Sequence, residues 1–245
     1  MKKALSIAGF DPTGGAGVMR DSLVFAAFGV TPLSLITALT AQDGKIFTAF
    51  EATDAALLKK QADALLKKHK IAALKTGMLA NEAITKTVCD VIKRYKIKNV
   101  VVDPVLASSS GFPLYGKKLT NLKKLISIAT LVTPNIPEAE KLTGVKIKTT
   151  EDIKAAALLI KKLGVKYVLI KGGHLKGDAI DTLFDGRKFY YFKGKRIKGS
   201  MHGTGCALSS AIAANIANGK SIESAIKTAK KYVTKLIKEA AQKSQ

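Results

Sequence analysis

Apolar positions along the chain fall into two alternating patterns. Short, continuously apolar runs end in Gly, Pro or Asp, and longer stretches between them repeat apolar residues every three or four positions. The first pattern predicts strands at 4–8, 33–39, 72–75, 99–102, 131–132 and 167–170. The second predicts helices near 15–28, 54–68, 81–94, 136–142 and 151–163, with Asp54, Asn81 and Thr150 as N-caps. Two further helices close the chain, at about 205–217 and 222–241.

Strands that alternate with helices build parallel βαβ units. Strands apolar on every residue need helices on both faces. Around 180–191, two short runs flank Asp185-Gly186, a hairpin signal for antiparallel strands at one edge. The expected fold is an α/β, doubly wound, mostly parallel sheet forming one domain over 1–245.

Composition narrows the classes of function. A hydrophobic content of 47% is ample for a packed core. No apolar run reaches the roughly 18 to 20 residues of a membrane span. The start, Met1-Lys2-Lys3-Ala4-Leu5, has too short an apolar run for a signal peptide and reads as a first buried strand. Cys89 and Cys206 have no metal-ligand spacing and cannot staple a framework, so a reducing, cytoplasmic setting is expected. The net charge of +23 is nearly all Lys, in helical pairs such as Lys59-Lys60 and Lys123-Lys124. With Arg only at 20, 94, 187 and 196 and no interleaved aromatics, it reads as solvated helix faces, not a nucleic-acid surface.

Three segments carry chemistry. Gly9-Phe10-Asp11-Pro12-Thr13-Gly14-Gly15-Ala16-Gly17 follows strand one and opens a helix, where backbone can approach a ligand. It is neither a Walker A loop nor a GxGxxG fingerprint, and alone it is equally a tight βα turn. Asp21, one turn on, suits a polar substrate at the sheet edge or a solvated helix charge. Met201-His202-Gly203-Thr204-Gly205-Cys206 leads into a small-residue helix. Backbone N–H groups at such a start can hold a phosphate, and the helix dipole favours the thiolate of Cys206, which could accept a proton. A buried structural Cys is the plainer alternative there, and core packing accounts for Cys89. In Thr133-Pro134-Asn135-Ile136-Pro137-Glu138, Asn135 and Glu138 share one side of a first helical turn. They fit either oxygen ligation of Mg²⁺ or an ordinary cap with a first-turn acid. Smaller pieces at Thr40-Ala41-Gln42, Lys75-Thr76-Gly77-Met78, Asp103-Pro104-Val105 and Lys171-Gly172-Gly173-His174 also fall at strand ends. All of them map to the carboxyl edge of the sheet, where open α/β folds bind ligands.

In order along the chain, G-F-D-P-T-G-G-A-G, T-A-L-T-A-Q, T-G-M-L, V-V-D-P-V, T-P-N-I-P-E-A, I-K-G-G-H and H-G-T-G-C resemble the hydroxymethylpyrimidine/phosphomethylpyrimidine kinases of thiamine biosynthesis, within the ribokinase-like superfamily. The resemblance covers essentially the whole chain. It implies ATP-dependent phosphorylation of a hydroxymethylpyrimidine and of its monophosphate, with pyridoxal kinase activity as the alternative. It implies that Gly9, Asp21, Gln42, Met78 and Val105 surround the pyrimidine, with Asp21 and Gln42 bonded to its amino group and ring nitrogens. Gly203, Thr204, Gly205 and Cys206 would form the anion hole, with Cys206 as base, while Asn135, Glu138, Lys171 and Thr204 attend the ATP phosphates and Mg²⁺. By similarity to pyridoxal kinases, Asp103, Thr133 and Glu138 would flank a cation, Mg²⁺ or a monovalent ion. A homodimer is implied as well. A sugar kinase fits less well, because Cys206 stands where those enzymes place an Asp. The chain departs from the pattern at Phe10, at Arg20 and at Ser109, where many members carry Lys in a flap over the site.

Overall fold

The computed structural model describes residues 1–172, 179–194 and 202–243. A nine-stranded sheet runs through them: β1 (Lys3–Phe10), β2 (Thr31–Gln42), β3 (Phe47–Ala52), β4 (Ala73–Thr76), β5 (Val100–Val102), β6 (Leu131–Val132), β7 (Tyr167–Ile170), β8 (Asp181–Phe184) and β9 (Phe189–Phe192). The spatial order is β3-β2-β1-β4-β5-β6-β7-β8-β9. The six strands from β2 to β7 are parallel; β3, β8 and β9 pair antiparallel.

The helices are α1 (Gly17–Ala27), α2 (Ala55–Leu66), α3 (Glu82–Arg94), α4 (Thr120–Ser127), α5 (Ile136–Thr143), α6 (Thr150–Lys161), α7 (Thr204–Ala217) and α8 (Ile222–Lys243). Because side chains alternate along a strand, β1 feeds two cores. Leu5 and Ile7 join the face covered by α2 to α6, and Ala4 joins the face covered by α1, α7 and α8. Helix α7 is buried nearly all round, and Ala207, Ala211, Ala213 and Ala214 let it lie close on the sheet.

Every predicted strand and helix is present, with ends shifted by at most three residues. Asp54 and Asn81 cap their helices through side-chain bonds to Leu57 N–H and Ile84 N–H. The third cap is Thr149, not Thr150: its hydroxyl and Asp152 form a capping box. Two elements escaped the pattern. Strand β3 makes both edges of the sheet antiparallel, where one was expected. Helix α4 follows Leu119, which cannot cap; Glu82 of α3 supplies the bond instead, its carboxylate accepting from Asn121 N–H at 2.9 Å. A cap borrowed from another helix leaves no local signature. Lys59, Lys60, Lys67, Lys123 and Lys124 are all exposed. Among the described residues, no helix is long and apolar enough to cross a membrane.

Candidate functional site

The chain leaves β1 toward β2 on one side and returns to β4 on the other, so the connections diverge between β1 and β4. Ligands of open α/β sheets bind at such a divergence. A cavity of about 730 Å³ opens there, across the carboxyl ends of the parallel strands. Gly9, Gln42, Met78, Val105, Asp103, Asn135, Glu138, Lys171 and the Gly203–Cys206 turn all line it.

The substrate end is apolar with a few aimed polar atoms. A Cβ on Gly9 would sit 3.2 Å from the Met78 sulfur and press that side chain back, so glycine leaves space beside it. Gln42 Nε2 donates to Thr40 Oγ1 at 2.8 Å, and Thr40 donates to Phe10 O at 2.8 Å. That chain fixes the carboxamide and leaves its oxygen for a donor in the cavity. Phe10 lines the wall itself, and Phe47, Met78 and Leu114 form a small cluster behind it.

The phosphate end is built on α7. Gly203 caps it at φ 80°, and a Cβ there would lie 1.9 Å from Gly15 O, which pins the helix start against the first loop. Unpaired N–H groups of the first turn therefore face the cavity. Lys171 Nζ donates to Asp103 Oδ1 at 2.8 Å and stands 4.0 Å from Glu138 Oε2. Asp103 also accepts from Ser209 Oγ at 3.0 Å and Thr133 Oγ1 at 3.2 Å. Asn135 and Glu138 form a complete capping box on α5.

The cap reading of the Asn135–Glu138 pair holds, and Glu138 lines the cavity as well. Burial pushes its carboxyl well above the ordinary range; Lys171 offsets this only in part, and Asp103 adds to it. A site short of positive charge suits a cation, so Asp103 and Glu138 fit Mg²⁺ chemically. Thr133 does not reach the cavity: it is fully buried and orients Asp103.

Asp21 corrects a second expectation. It is fully buried, absent from the cavity wall and already accepts from Lys75, Ser6 and Ser210, so no acceptor is left for a pyrimidine amino group. Cys206 corrects a third. The dipole of α7, Lys75 and Gly17 N–H favour the thiolate, yet burial, Asp21 and Asp103 outweigh them and hold the thiol above its ordinary pKa.

The sequence profile of a family described as phosphomethylpyrimidine kinase matches residues 11–245. The chain belongs to that family. It is 45% identical over 240 residues to a hydroxymethylpyrimidine/phosphomethylpyrimidine kinase of Aquifex aeolicus, covering 96% of this chain and 94% of that protein. The crystal structure of phosphomethylpyrimidine kinase from Clostridium difficile superposes with a TM-score of 0.86 at 40% identity, over 97% of this chain and 100% of the other. Pyridoxal kinase from Staphylococcus aureus, solved with AMP-PCP and pyridoxal, superposes at 0.88 with 34% identity, over 97% and 88%.

For a phosphomethylpyrimidine kinase the cavity holds residues that motif reading passed over. His202 Nε2 bonds Asp11 Oδ2 at 3.0 Å, and its Nδ1 lies 3.4 Å from Ser109 Oγ, tying the first loop to the flap segment. Burial works to raise Asp11, but bonds from Thr13, His202 and Ala16 N–H hold it below the usual carboxylate range. His202 stands inside H-G-T-G-C, so its signal was present and unused. Arg20 Nε donates to Gly15 O at 3.2 Å and braces the same loop. At the far end, Leu208, Val233 and Ile237 make an apolar wall beside Lys230, which donates to Asp181 and Ala179 O. Gly173, His174 and Met201 lie outside the described residues.

Proposed function

We propose that this phosphomethylpyrimidine kinase family member transfers the γ-phosphoryl group of ATP to the hydroxymethyl oxygen of 4-amino-5-hydroxymethyl-2-methylpyrimidine, and then phosphorylates the monophosphate. The observation that carries the reading is the meeting, in one cavity, of an apolar slot at Gly9, Met78 and Val105 with the α7 N-terminus. A flat heteroaromatic fits the first, and a transferring phosphoryl group fits the second.

Phosphoryl transfer needs mainly positioning and charge stabilisation. Gln42 accepts a hydrogen bond from the ring amino group, and the slot aims the hydroxymethyl oxygen at the γ-phosphorus beside Cys206. As the new P–O bond forms and the bond to ADP breaks, the hydroxyl proton passes to the thiolate form of Cys206, giving the thiol. Gly203, Thr204, Gly205 and Cys206 receive the transferring group at the helix start, where fixed N–H dipoles stabilise developing charge. Lys171 and Asn135 attend the β- and γ-phosphates, with the nucleobase on the Leu208–Val233–Ile237 wall. Asp103 and Glu138 would hold Mg²⁺, which supplies charge neutralisation on the phosphates; a monovalent ion beside Glu138 is part of the same proposal.

Incubation with ATP, followed by ion-exchange chromatography of the acceptor, tests the reading. Successive mono- and diphosphate peaks are expected, and an unchanged acceptor would refute it. Pyridoxal is the second acceptor we propose, supported by the pyridoxal kinase superposition. We also propose a cytoplasmic homodimer: both cysteines are free, and Leu23, Leu39 and Ile46 are exposed large apolar side chains.

A further inference from the structure

Behind the cavity wall, four elements converge on charges to which the reaction above gives no work. Asp21 of α1 and Lys75 of β4 are both wholly excluded from solvent. The ammonium donates to both carboxylate oxygens, at 2.9 and 2.8 Å. Ser6 of β1 and Ser210 of α7 donate to the same carboxylate, at 2.5 and 2.6 Å. A buried ion pair seldom stabilises more than apolar side chains of equal volume, so stability alone is a poor reason for one here.

Helical spacing shows what the pair touches. Gly17 and Asp21 lie four residues apart on α1, and Cys206 and Ser210 lie four apart on α7, so each pair shares a helix face. The Asp21–Ser210 bond is one rung between the helices. One turn higher on the same two faces stand Gly17 and Cys206, and the Gly17 N–H favours the thiolate. Lys75 enters beside the Asp21–Ser210 rung from the strand beneath. A Cβ on Gly77 would touch both its Nζ and the Cβ of Ala8, each at 3.0 Å, and Ala8 is part of the cavity wall.

We propose that Lys75, locked by Asp21, Ser6 and Ser210, is a positioning residue for the phosphoryl transfer: it fixes a positive charge behind Cys206 and sets how readily that thiol releases its proton. The inference rests on Cys206 acting as the base. The charged groups that bear on the sulfur are Lys75 from β4, Asp21 from α1, Asp103 after β5 and Lys171 after β7. Burial raises the thiol, Lys75 is the largest opposing influence, and both carboxylates work against it. The direction of each substitution follows. Asp21→Asn keeps an acceptor of the same shape but removes the negative charge, leaving Lys75 to act on the sulfur alone. The double variant Asp21→Asn/Lys75→Met removes both charges, leaves no unpaired ion in the core, and deletes the larger of the two influences.

The test is the pH dependence of iodoacetamide alkylation of the intact protein in a Cys89→Ser background, where Cys206 alone reports. The midpoint for Asp21→Asn should lie below the parent, and that for the double variant above it. The two variants should span about one pH unit or more, a tenfold difference in rate at fixed pH. The acid limb of kcat should move in the same order. A merely structural pair predicts no such opposed shifts, and the two variants depend on different substitutions, so either one alone, if folded, decides. Midpoints equal to the parent in variants of native circular dichroism would overturn the role of Lys75 and leave the base assignment standing. Ordered midpoints together with near-parental turnover of Cys206→Ala would overturn the base assignment, and with it any part for Lys75 in turnover.

Discussion

Replacing Gly205 with Ala separates the needs of the fold from the needs of the reaction. Gly205 lies in the first turn of α7 and does not adopt a positive φ, so alanine fits its backbone. The added Cβ would stand 3.4 Å from Lys171 Nζ and 4.0 Å from Asp103 Oδ2, which is ordinary contact. In a helix, Gly→Ala gains roughly 0.5–1 kcal/mol, because the unfolded chain loses freedom. For a chain of this size that raises Tm by about 1–4 °C. The same methyl projects into the space between the helix start and Lys171, where the transferring phosphoryl group must come. The donor remains, but holding the phosphoryl group off it is equivalent to losing one donor of an oxyanion-type hole, about 10²–10³ in kcat, so a fall of roughly 10² in kcat/KM for ATP is expected. Differential scanning calorimetry and an ADP-coupled assay read the two quantities. A more stable but nearly inactive enzyme supports the account. Parental activity would mean that phosphate does not approach α7 at Gly205, and a lowered Tm would mean that the packing there has been misread.

Other outcomes follow from the same geometry. Cys206→Ala should lower kcat by roughly 10² or more, the usual span for a lost general base, in single-turnover measurements. Because Cys206 is held above its ordinary pKa and a base must be unprotonated, kcat should climb with pH, about tenfold per unit, up to that pKa; a flat profile from pH 6 to 9 would contradict the assignment. Glu138→Gln keeps the cap on Asn135 N–H but removes a carboxyl whose pKa is raised by folding. Such a group costs stability increasingly as pH rises from its unfolded to its folded value, so the variant should gain more in Tm at pH 8 than at pH 4 while losing Mg²⁺-dependent activity. Gln42→Leu should raise KM for the pyrimidine at least tenfold and leave KM for ATP within about twofold, since the lost bond is at the substrate end.

What the sequence disclosed tracks how local each cause is. The parallel sheet followed from apolar runs and their spacing, and the cavity from motifs that all fell at strand ends. The start of α7 was legible because Gly203, Thr204, Gly205 and Cys206 act through backbone conformation written in four consecutive residues. Asp21 was misassigned because its partner Lys75 lies 54 positions away, and a sequence does not say which face of α1 meets β4. Thr133 came from the resemblance alone, and its burial behind Asp103 depends on which face a strand end turns inward. The thiolate expectation for Cys206 weighed the helix dipole, which is local, and lacked the burial and the carboxylates of Asp21 and Asp103, which are not. Helix α4 was invisible for a related reason, since its cap comes from Glu82.

The central claim is that the slot beside Cys206 takes a pyrimidine alcohol as phosphoryl acceptor. Its most direct test is kcat/KM by ADP release with hydroxymethylpyrimidine, its monophosphate and pyridoxal measured side by side on one preparation. The account predicts turnover of both pyrimidines, with pyridoxal slower or comparable. ADP release no faster with either pyrimidine than with buffer alone, from a folded enzyme that binds ATP, would contradict it.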